Sequence, residues 1–335
     1  MKILSIVKNV GQVSIMKITK DFIYIPLTRK QAEFMGAVWN NKEKMYRLPN
    51  TLGVLSELEE IYPQLAEYKT KKLSQRSKLL RLKTLDDVEG DNRLRPYQRV
   101  DVNYLKHIGS AGIFNEQRTG KTPTTLVLTK EKGFEKTVIV APASLLINWK
   151  EEVERWTGKK ALISTGLSKK RKDIYHRFSE NNYSYLVVSY ETLRNDIDVV
   201  IKVICPFDCL IVDEAHRLRS LINGKRASQI SKAVVKLGKH AKTRYALTGT
   251  PTVKEGNEIW GILHFLYPER FPGYWQFIDR YFEKEFNGFG TEINGYKRKR
   301  ELQDILAVIS TNRKRSEVMQ WLPKKQYQTI KLEMK

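Results

Sequence analysis

The sequence predicts an α/β fold, in which a parallel β-sheet covered by helices on both faces follows a small α+β module and precedes a helical protrusion. Between residues 94 and 268, short apolar segments alternate with stretches of helical periodicity. Each apolar segment ends in small or polar residues, the position at which ligands bind in parallel sheets. A Gly-Lys-Thr sequence follows the first segment and opens a helical stretch, which is typical of a phosphate-binding loop.

Composition and charge narrow the class of protein. The chain has 335 residues, of which 41% are hydrophobic and 29% are charged, enough for a folded protein of two or more domains. Its 60 lysines and arginines outnumber 37 acidic residues and give a net charge of +23. This excess favours a nucleic-acid partner, with a merely basic surface as the alternative.

Cysteine content and hydropathy indicate an intracellular protein. Cys205 and Cys209 lack the further ligands of a zinc site, so we expect reduced thiols. No apolar run approaches the length of a membrane span, and Lys8 interrupts the apolar start too early for a secretory signal. We expect no membrane partner. The cytoplasm of a bacterium or of a phage-infected cell is favoured, with the nucleus as the alternative.

The first 68 residues are assigned to the small α+β module. Residues 3–18 predict two short strands around a turn at residues 9–11, and the alternation over residues 22–27 predicts a third strand. Thr28 follows this strand and can cap a helix. The module therefore begins as a sheet with a helix packed against it.

The rest of the module leads into a basic segment. Residues 38–48 predict a hairpin, and a second helix begins near Thr51. Its apolar residues at helical spacing are Leu52, Leu55, Leu58 and Ile61. Residues 69–93 are interpreted as a basic linker, with seven basic and no acidic residues over 69–83. This segment is either a linker or helix that follows a phosphate backbone, or a solvated connector.

Apolar segments of the lobe at residues 94–268 predict the strands of the parallel sheet. These strands are residues 112–114, 137–141, 185–188, 209–212 and 244–247. Residues 269–325 contain many aromatic residues, a glycine-rich turn region at 288–295 and a helix over 301–310. We interpret them as a helical protrusion with a basic segment. Residues 326–335 are strand-like and would begin the connection to a second lobe.

A phosphate loop is predicted at residues 115–122. In such a loop, backbone N–H groups and a helix N-terminus face the anion, a lysine neutralises the β- and γ-phosphates, and a hydroxyl group ligates Mg²⁺. Gly120, Lys121 and Thr122 match the end of the GxxxxGK[ST] pattern. Asn115 stands in place of the first glycine, and its tolerance of left-handed backbone keeps the loop feasible. Taken alone, this match is also compatible with a chance Gly-Lys-Thr sequence.

Two further motifs follow strands at the same end of the predicted sheet. Asp213 and Glu214 come directly after the fourth predicted strand, where one carboxylate can hold Mg²⁺ and the other can activate the water that attacks a γ-phosphate. An acidic pair at a turn is the alternative. Thr248, Gly249 and Thr250 end the fifth strand and can link the nucleotide pocket to neighbouring elements. These three motifs in this order are typical of a motor ATPase.

Together the motifs resemble those of the Swi/Snf-type ATPases of helicase superfamily 2. Besides the phosphate loop, segments similar to the family's motifs, including its DEAH-box form of motif II, are residues 94–98, 142–149, 189–194, 213–218, 247–251, 258–269 and 313–325. The resemblance implies a RecA-like P-loop lobe, the first of two. It also implies a DNA-dependent ATPase that uses ATP and Mg²⁺ to move along DNA, double-stranded and without sequence preference.

The resemblance also implies roles for individual residues. The ATP-binding residues would be Arg95, Gln98, Arg118, Thr119, Gly120, Lys121 and Thr122, with Gln98 reading adenine. Lys121, Asp213 and Glu214 would serve catalysis, and Thr122 and Asp213 would hold the metal. Residues coupling nucleotide state to DNA would be His216, Thr248, Gly249 and Thr250. Residues facing DNA would be Pro142, Ser144, Asn148, Trp149, Ser189, Tyr190 and Arg217.

This chain departs from the family pattern in two respects. The family's loop carries Asp-Glu-Met-Gly-Leu before Gly-Lys-Thr, where this chain has the sequence Asn-Glu-Gln-Arg-Thr. No motifs of a second lobe follow, so its arginine finger is missing. Because such an arginine contributes about 10³–10⁵ in rate, we expect a fragment of a longer protein that binds ATP and hydrolyses it weakly.

The N-terminal module is similar to the HARP-like domain of annealing helicases at residues 36–39 and 46–49. This similarity implies an accessory module that binds DNA, with Trp39 or Tyr46 stacking on bases. The alternative is that both rings belong to the core. For the whole chain, two other interpretations stay open. One is a different superfamily 2 motor, either a restriction-enzyme translocase or a strand-separating helicase, and the other is a non-enzymatic DNA-binding module.

Overall fold

The computed structural model describes residues 4–6, 16–180, 183–226, 228–252, 256–286, 288 and 290–320. The predicted turn at residues 9–11, the motif residues 322–325 and the strand-like segment at 326–335 lie outside this part of the chain. Within it, a small α+β module precedes an α/β lobe, and a region of helices and a hairpin follows. This order agrees with the order predicted from the sequence.

The N-terminal module contains a five-stranded antiparallel sheet. Its strands are β1 (Leu4–Ile6), β2 (Met16–Ile18), β3 (Phe22–Ile25), β4 (Val38–Asn40) and β5 (Met45–Pro49), in the order β1-β2-β3-β5-β4. Helix α1 (Arg29–Met35) and helix α2 (Leu52–Glu59) share their apolar core with this sheet. The module therefore has its own hydrophobic core.

Both helices of the module begin at the predicted caps. The side chain of Thr28 accepts a hydrogen bond from the N–H of Gln31, and that of Thr51 accepts one from Val54. Ile61 does not belong to α2 as predicted; it lies beyond the end of the helix and is 40% exposed. Pro63 is consistent with this end, because proline has no N–H to donate to the carbonyl of Glu59 four residues earlier.

The basic segment after the module is a helix. Helix α3 (Leu65–Arg81) runs without a break across the boundary predicted between residues 68 and 69. Arg76 Nη2 lies 2.6 Å from Asp304 Oδ1, and Lys83 donates to two backbone carbonyls of the C-terminal region. This helix therefore joins the module to the far end of the chain, while the division into domains stays a prediction.

The lobe alternates strands and helices as predicted, with one additional strand at residues 161–164 that the sequence analysis did not predict. Its strands up to residue 247 are β6 (Ala111–Ile113), β7 (Thr137–Ala141), β8 (Ala161–Ser164), β9 (Tyr185–Ser189), β10 (Phe207–Asp213) and β11 (Ala241–Leu247). Its helices are α4 (Pro96–Lys106), α5 (Lys121–Glu131), α6 (Leu146–Thr157), α7 (Ser168–Ser179), α8 (Tyr190–Ile204), α9 (Gln229–Gly238) and α10 (Ile259–Leu266).

The C-terminal region combines helices with a hairpin that the sequence did not predict. Its elements are α11 (Tyr274–Tyr281), β12 (Phe282–Phe286), β13 (Thr291–Tyr296), α12 (Lys299–Ile309), β14 (Ser310–Thr311) and α13 (Arg315–Val318). Strands β12 and β13 pair antiparallel; β12 precedes the predicted glycine-rich turn at residues 288–295, and β13 occupies its second half. The predicted helix at residues 301–310 corresponds to α12.

The central sheet has seven parallel strands in the order β14-β6-β11-β10-β7-β9-β8. Alternate residues of β7 pack on opposite faces: Val138 and Val140 join the core beneath α7 to α10, and Ile139 and Ala141 join the core beneath α4 to α6. The fold is therefore the α/β sheet with helices on both faces that the sequence predicts.

The N-terminal module is fixed to the C-terminal region by a buried ion pair. Arg280 Nη2 lies 2.6 Å from Glu301 Oε2, and only 3% and 5% of these side chains are exposed. Arg280 also donates to the backbone carbonyl of Met35, and Thr51 Oγ1 donates to Glu301 Oε1 at 2.8 Å. Each charge thus has partners on both sides of the interface.

Among the helices described, none is long and apolar enough to cross a membrane.

Substitution of Arg280 by Met should lower the free energy of unfolding by about 3–5 kcal/mol, because it leaves the buried Glu301 carboxylate without a counter-charge. Urea denaturation followed by circular dichroism measures this change. Lys236→Met is the control, since Lys236 forms an exposed ion pair with Asp198 and should change stability much less. Equal effects of the two substitutions would contradict the buried pair.

Candidate nucleotide-binding site

Three polar motifs follow adjacent parallel strands at their carboxyl ends. In the sheet, β6, β11 and β10 are neighbours, and Leu247 of β11 pairs with both Ile113 and Asp213. The phosphate loop follows β6, Thr248 follows β11, and Asp213 ends β10. Because these strands are parallel and in register, the three motifs meet at the carboxyl end of the sheet.

The phosphate loop has the local geometry that its sequence predicts at Gly120. This residue begins α5 with left-handed backbone, at φ 80°. A Cβ atom at this position would lie 2.1 Å from Gln98 Nε2, so a side chain cannot be accommodated without displacing the glutamine. Glycine is therefore required here both for its backbone angles and for the space.

Asn115 does not adopt the left-handed backbone expected from its place in the pattern. The non-glycine residue of this loop with positive φ is Arg118, at 67°. Asn115 is fully buried; its Nδ2 donates to Asp101 Oδ2 at 2.8 Å, and its Oδ1 accepts from the backbone N–H of Arg313 at 3.0 Å. The tolerance of asparagine for left-handed backbone is therefore not used here, and Asn115 serves as a donor and an acceptor within the fold.

Asp101 is a site residue that motif comparison did not identify. It is fully buried on α4, and Arg313 Nε donates to it at 2.9 Å. Burial raises the pKa of Asp101, while Arg313 and Asn115 oppose this rise. An acidic residue between two apolar ones, Val100 and Val102, is the sequence signal that could have marked it, because a carboxylate on a buried helix face needs a partner.

Lys121 lies between the loop and the carboxylates. Its Nζ donates to the backbone carbonyls of Asn115, at 3.0 Å, and Glu116, at 3.2 Å. Burial lowers the pKa of Lys121, and the negative charges of Glu214 and Asp213 raise it. The ammonium group therefore experiences the charge of both carboxylates, and its hydrogen-bond partners are neutral carbonyls that a phosphate could replace.

Asp213 is held by two donors at the tip of β10. Trp149 Nε1 donates to Asp213 Oδ2 at 2.9 Å, and the backbone N–H of Glu214 donates to Oδ1 at 2.9 Å. Burial raises the pKa of Asp213, and the hydrogen bond from Trp149 lowers it. Tyr190 donates its hydroxyl to the backbone carbonyl of the same aspartate. The hydrogen bond from Trp149 of α6 thus fixes the orientation of the carboxylate.

Glu214 and His216 connect this motif to the strand beside it. Glu214 has φ 50°, a left-handed conformation that is strained for a non-glycine residue and is common at functional sites. His216 Nδ1 lies 3.2 Å from Glu214 Oε2 and 3.3 Å from Thr248 Oγ1. The imidazole therefore bridges the acidic pair and the motif after β11.

The motif after β11 also contacts the phosphate loop. The backbone N–H of Thr250 donates to Thr248 Oγ1 at 3.1 Å, and Thr248 is almost fully buried. A Cβ atom on Gly249 would lie 3.2 Å from the backbone nitrogen of Gln117 in the loop. The structure therefore brings together all three motifs, including the four residues predicted to couple nucleotide state to DNA.

The side chain of Gln98 binds the loop itself. Its Oε1 accepts from the backbone N–H of Arg95 at 2.8 Å, and its Nε2 donates to the Thr119 carbonyl at 3.0 Å. Tyr97, which the motifs did not single out, donates to the same carbonyl at 2.9 Å. Arg95 and Arg118 are exposed. In this structure Gln98 holds the loop, and its reading of adenine stays a prediction.

Metal binding by Thr122 and Asp213 would depend on the nucleotide. Among the described residues, no group of three or more His, Cys, Asp or Glu side chains could hold a metal ion. One hydroxyl and one carboxylate fit Mg²⁺, which commonly takes one or two carboxylates together with substrate phosphates and waters.

Three of the residues predicted to face DNA are buried instead. Trp149 is 1% exposed, Tyr190 is fully buried, and Ser189 is 5% exposed as the cap of α8. Trp149 and Tyr190 form hydrogen bonds to Asp213 instead. Their predicted direct contact with DNA is therefore wrong, and they support Asp213 from within the fold. The other predicted DNA residues are accessible: Ser144, Asn148 and Arg217 are exposed, and Pro142 is partly exposed.

Comparisons with known proteins agree with this architecture. A model of the SNF2-related domain matches residues 48–335. Chromodomain-helicase-DNA-binding protein 8 of Danio rerio is 26% identical over 324 residues, which cover 90% of this chain and 12% of that protein. ISWI chromatin-remodeling complex ATPase ISW1 of Saccharomyces cerevisiae is 30% identical over 248 residues, which cover 70% of this chain and 21% of that protein.

A solved structure is similar in fold. It is the Sulfolobus solfataricus SWI2/SNF2 ATPase core in complex with dsDNA, with a TM-score of 0.53 and 23% identity over 68% of this chain and 46% of that chain. The predicted RecA-like fold is thereby confirmed. The chain spans less than half the length of each of these three proteins.

The bond from Trp149 to Asp213 can be measured by a double-mutant cycle. Trp149→Phe and Asp213→Ala should show a coupling energy of about 1.5–3 kcal/mol in urea denaturation, because the bond joins a buried donor to a partly buried, charged acceptor. The matched cycle on the same helix uses Trp156→Phe and Glu152→Ala, whose bond of 2.8 Å is more exposed. A first cycle no larger than the second would contradict the role assigned to Trp149.

Proposed function

The chain belongs to the SNF2-related domain family, and from that premise we propose that it is the ATP-binding lobe of a Swi/Snf-type translocase, which couples ATP binding and hydrolysis to movement on duplex DNA. One observation supports this above others. The loop that carries Lys121 follows β6 and the Asp213-Glu214 pair follows β10, at the same end of the sheet on either side of β11, and the ammonium group interacts electrostatically with both carboxylates. This is the arrangement of charges that binds a triphosphate together with Mg²⁺.

In this proposal each loop residue has a defined task. Lys121 exchanges its two carbonyl partners for phosphate oxygens, and Thr122 and Asp213 hold Mg²⁺. The metal would neutralise charge that develops on the phosphates. Glu214 activates the attacking water. Gln98 reads adenine after releasing the Thr119 carbonyl.

The coupling path follows from contacts already described. His216 lies against both Glu214 and Thr248, so a change at the acidic pair reaches the motif after β11. Gly249 lies against the phosphate loop. We propose that these residues report nucleotide state to the DNA-facing surface.

The proposed partner is duplex DNA, bound through its backbone. The Sulfolobus neighbour was solved with dsDNA, and the net charge of +23 in this chain favours a polyanion. The accessible candidates for contact are Ser144, Asn148 and Arg217. A second RecA-like lobe is the other proposed partner, because an arginine from such a lobe completes the site in related phosphoryl transfer.

Lys121→Ala should weaken ATP binding about tenfold or more, because a charge-assisted contact to phosphate is lost. Titration with a fluorescent ATP analogue in the presence of Mg²⁺ measures the affinity. Lys130→Ala is the control, since Lys130 is exposed at the other end of α5. Unchanged affinity in Lys121→Ala would refute the assignment of the loop.

Glu214→Gln should retain ATP binding and lose about 10²–10⁴ in turnover, the range expected for a general base. This comparison uses the protein joined to a second lobe, with phosphate release as the readout. Together with Lys121→Ala, it separates binding from chemistry. Normal turnover in Glu214→Gln would remove this residue from the proposed mechanism.

Arg217→Gln should weaken duplex DNA binding equally for unrelated sequences and reduce the slope of log affinity against log salt by about 1, as expected for one lost phosphate contact. Fluorescence anisotropy over a range of salt concentrations measures both quantities. Lys236→Gln is the control, because it is also an exposed cation in an ion pair. An unchanged slope in Arg217→Gln would place the DNA elsewhere.

A further inference from the structure

A cleft lies at the end of the sheet opposite to the nucleotide site. It measures about 580 Å³ and is lined by the N-terminal module, α3, the residues before β6, the first half of β11 and α12. On β11 the lining reaches Arg244, three residues before Leu247 at the carboxyl end of the strand; at about 3.3 Å per residue, roughly 10 Å of strand lie between them. The lining includes neither a residue of the predicted phosphate loop nor Asp213 or Glu214. The cleft therefore cannot be part of the ATP site.

Three arginines in the walls of the cleft have donors without partners. The Nε atoms of Arg76, Arg244 and Arg270 are buried and, among the described residues, meet no hydrogen-bond acceptor. Arg76 still binds Asp304, and Arg244 still binds the backbone carbonyl of Gly238. A buried donor without an acceptor lowers stability, and a charged donor lowers it more. The walls of the cleft therefore contain three arginines whose hydrogen-bonding capacity the described residues do not fully use.

Lys72 adds a fourth buried cation to the same wall. It donates to the carbonyl and the side-chain oxygen of Asn50, which are neutral acceptors. Burial and the neighbouring charge of Arg270 lower the pKa of Lys72 to about 7, and Asp21 opposes them. A cation held beside other cations gains most from an anion that several donors can share.

Carboxylates in the walls do not cancel this charge. Glu301 is paired with Arg280, and Asp304 with Arg76. Lys242, another lining residue, is paired with Asp208. Asp21 and Glu269 also line the cleft, and they face four further lining cations. These cations are Lys20, Lys72, Arg244 and Arg270. The cleft therefore keeps an excess of positive charge in partly desolvated surroundings.

We propose that this cleft binds a phosphate group carried by a ligand of about nucleotide size. A phosphate offers several oxygens in a compact tetrahedron, so it can accept from Arg244, Arg270 and Lys72 at once. The volume lies in the range of small-molecule sites, about 300–1,000 Å³. The source is either a free phosphate compound or the phosphate of a nucleic-acid strand. This site does not depend on ATP hydrolysis at the opposite end of the sheet.

Pyrophosphate is the probe for the site. In a Lys121→Ala background, which disables the predicted ATP loop, isothermal titration calorimetry without Mg²⁺ should detect its binding. Arg270→Gln and Arg244→Gln should each weaken this binding about tenfold or more, since each removes a charged donor. Lys78→Gln, at an exposed position of α3 outside the lining, should leave it unchanged.

Competition distinguishes the two sources of the phosphate. A short oligo-dT with a 5′-phosphate that displaces pyrophosphate, where the same oligo-dT without that phosphate does not, would identify a nucleic-acid end. Binding of pyrophosphate without displacement by either strand would identify a free phosphate compound. Both results support the site.

Circular dichroism checks that each variant is folded. Arg270→Lys, which keeps the charge, should retain part of the affinity for pyrophosphate. The proposal is overturned if pyrophosphate does not bind in the Lys121→Ala background. It is equally overturned if folded Arg270→Gln and Arg244→Gln bind pyrophosphate as tightly as Lys78→Gln does.

Discussion

The position of the Asp213 carboxylate governs the geometry of the whole site. Burial disfavours its charge, so the charged form depends on donors supplied by the fold. Trp149 from α6 binds the carboxylate, while Tyr190 from α8 binds the backbone carbonyl of the same residue. These helices cover opposite faces of the sheet. Packing on both faces therefore converges on one residue at the strand end, and the hydrophobic core and the candidate chemistry depend on each other.

Most of the fold could be predicted because its strands are buried on both faces and carry continuous apolar runs. The exceptions are informative. Strand β14 consists of Ser310 and Thr311 and has no apolar signal; it exists because the edge of β6 offers backbone partners. The hairpin of β12 and β13 lies in a segment whose glycines suggested only a turn. In both cases the decisive interactions are between backbones, which side-chain patterns do not record.

The site could be predicted where chemistry demands a residue type, and less well where orientation decides. The chemistry of a phosphate and Mg²⁺ site requires a cation and carboxylates, and Lys121, Asp213 and Glu214 are residues of these types in motifs that follow strands. Trp149 and Asn148 are adjacent in the sequence, yet Trp149 is buried in the core and Asn148 is exposed to solvent. A motif that spans both cannot separate them. The apolar spacing of Trp149 and Val153 on α6 was the available signal.

The segment that leaves the lobe is joined to the phosphate loop by its own backbone. The N–H of Phe114 donates to Thr311, that of Glu116 donates to Arg313, and that of Arg315 donates to the Glu116 carboxylate. A loop that rearranged around a ligand would have to carry residues 311–315 with it or break this ladder. The course of residues 311–315 is consequently tied to the conformation of the phosphate loop, by two backbone hydrogen bonds and by one bond to the Glu116 side chain.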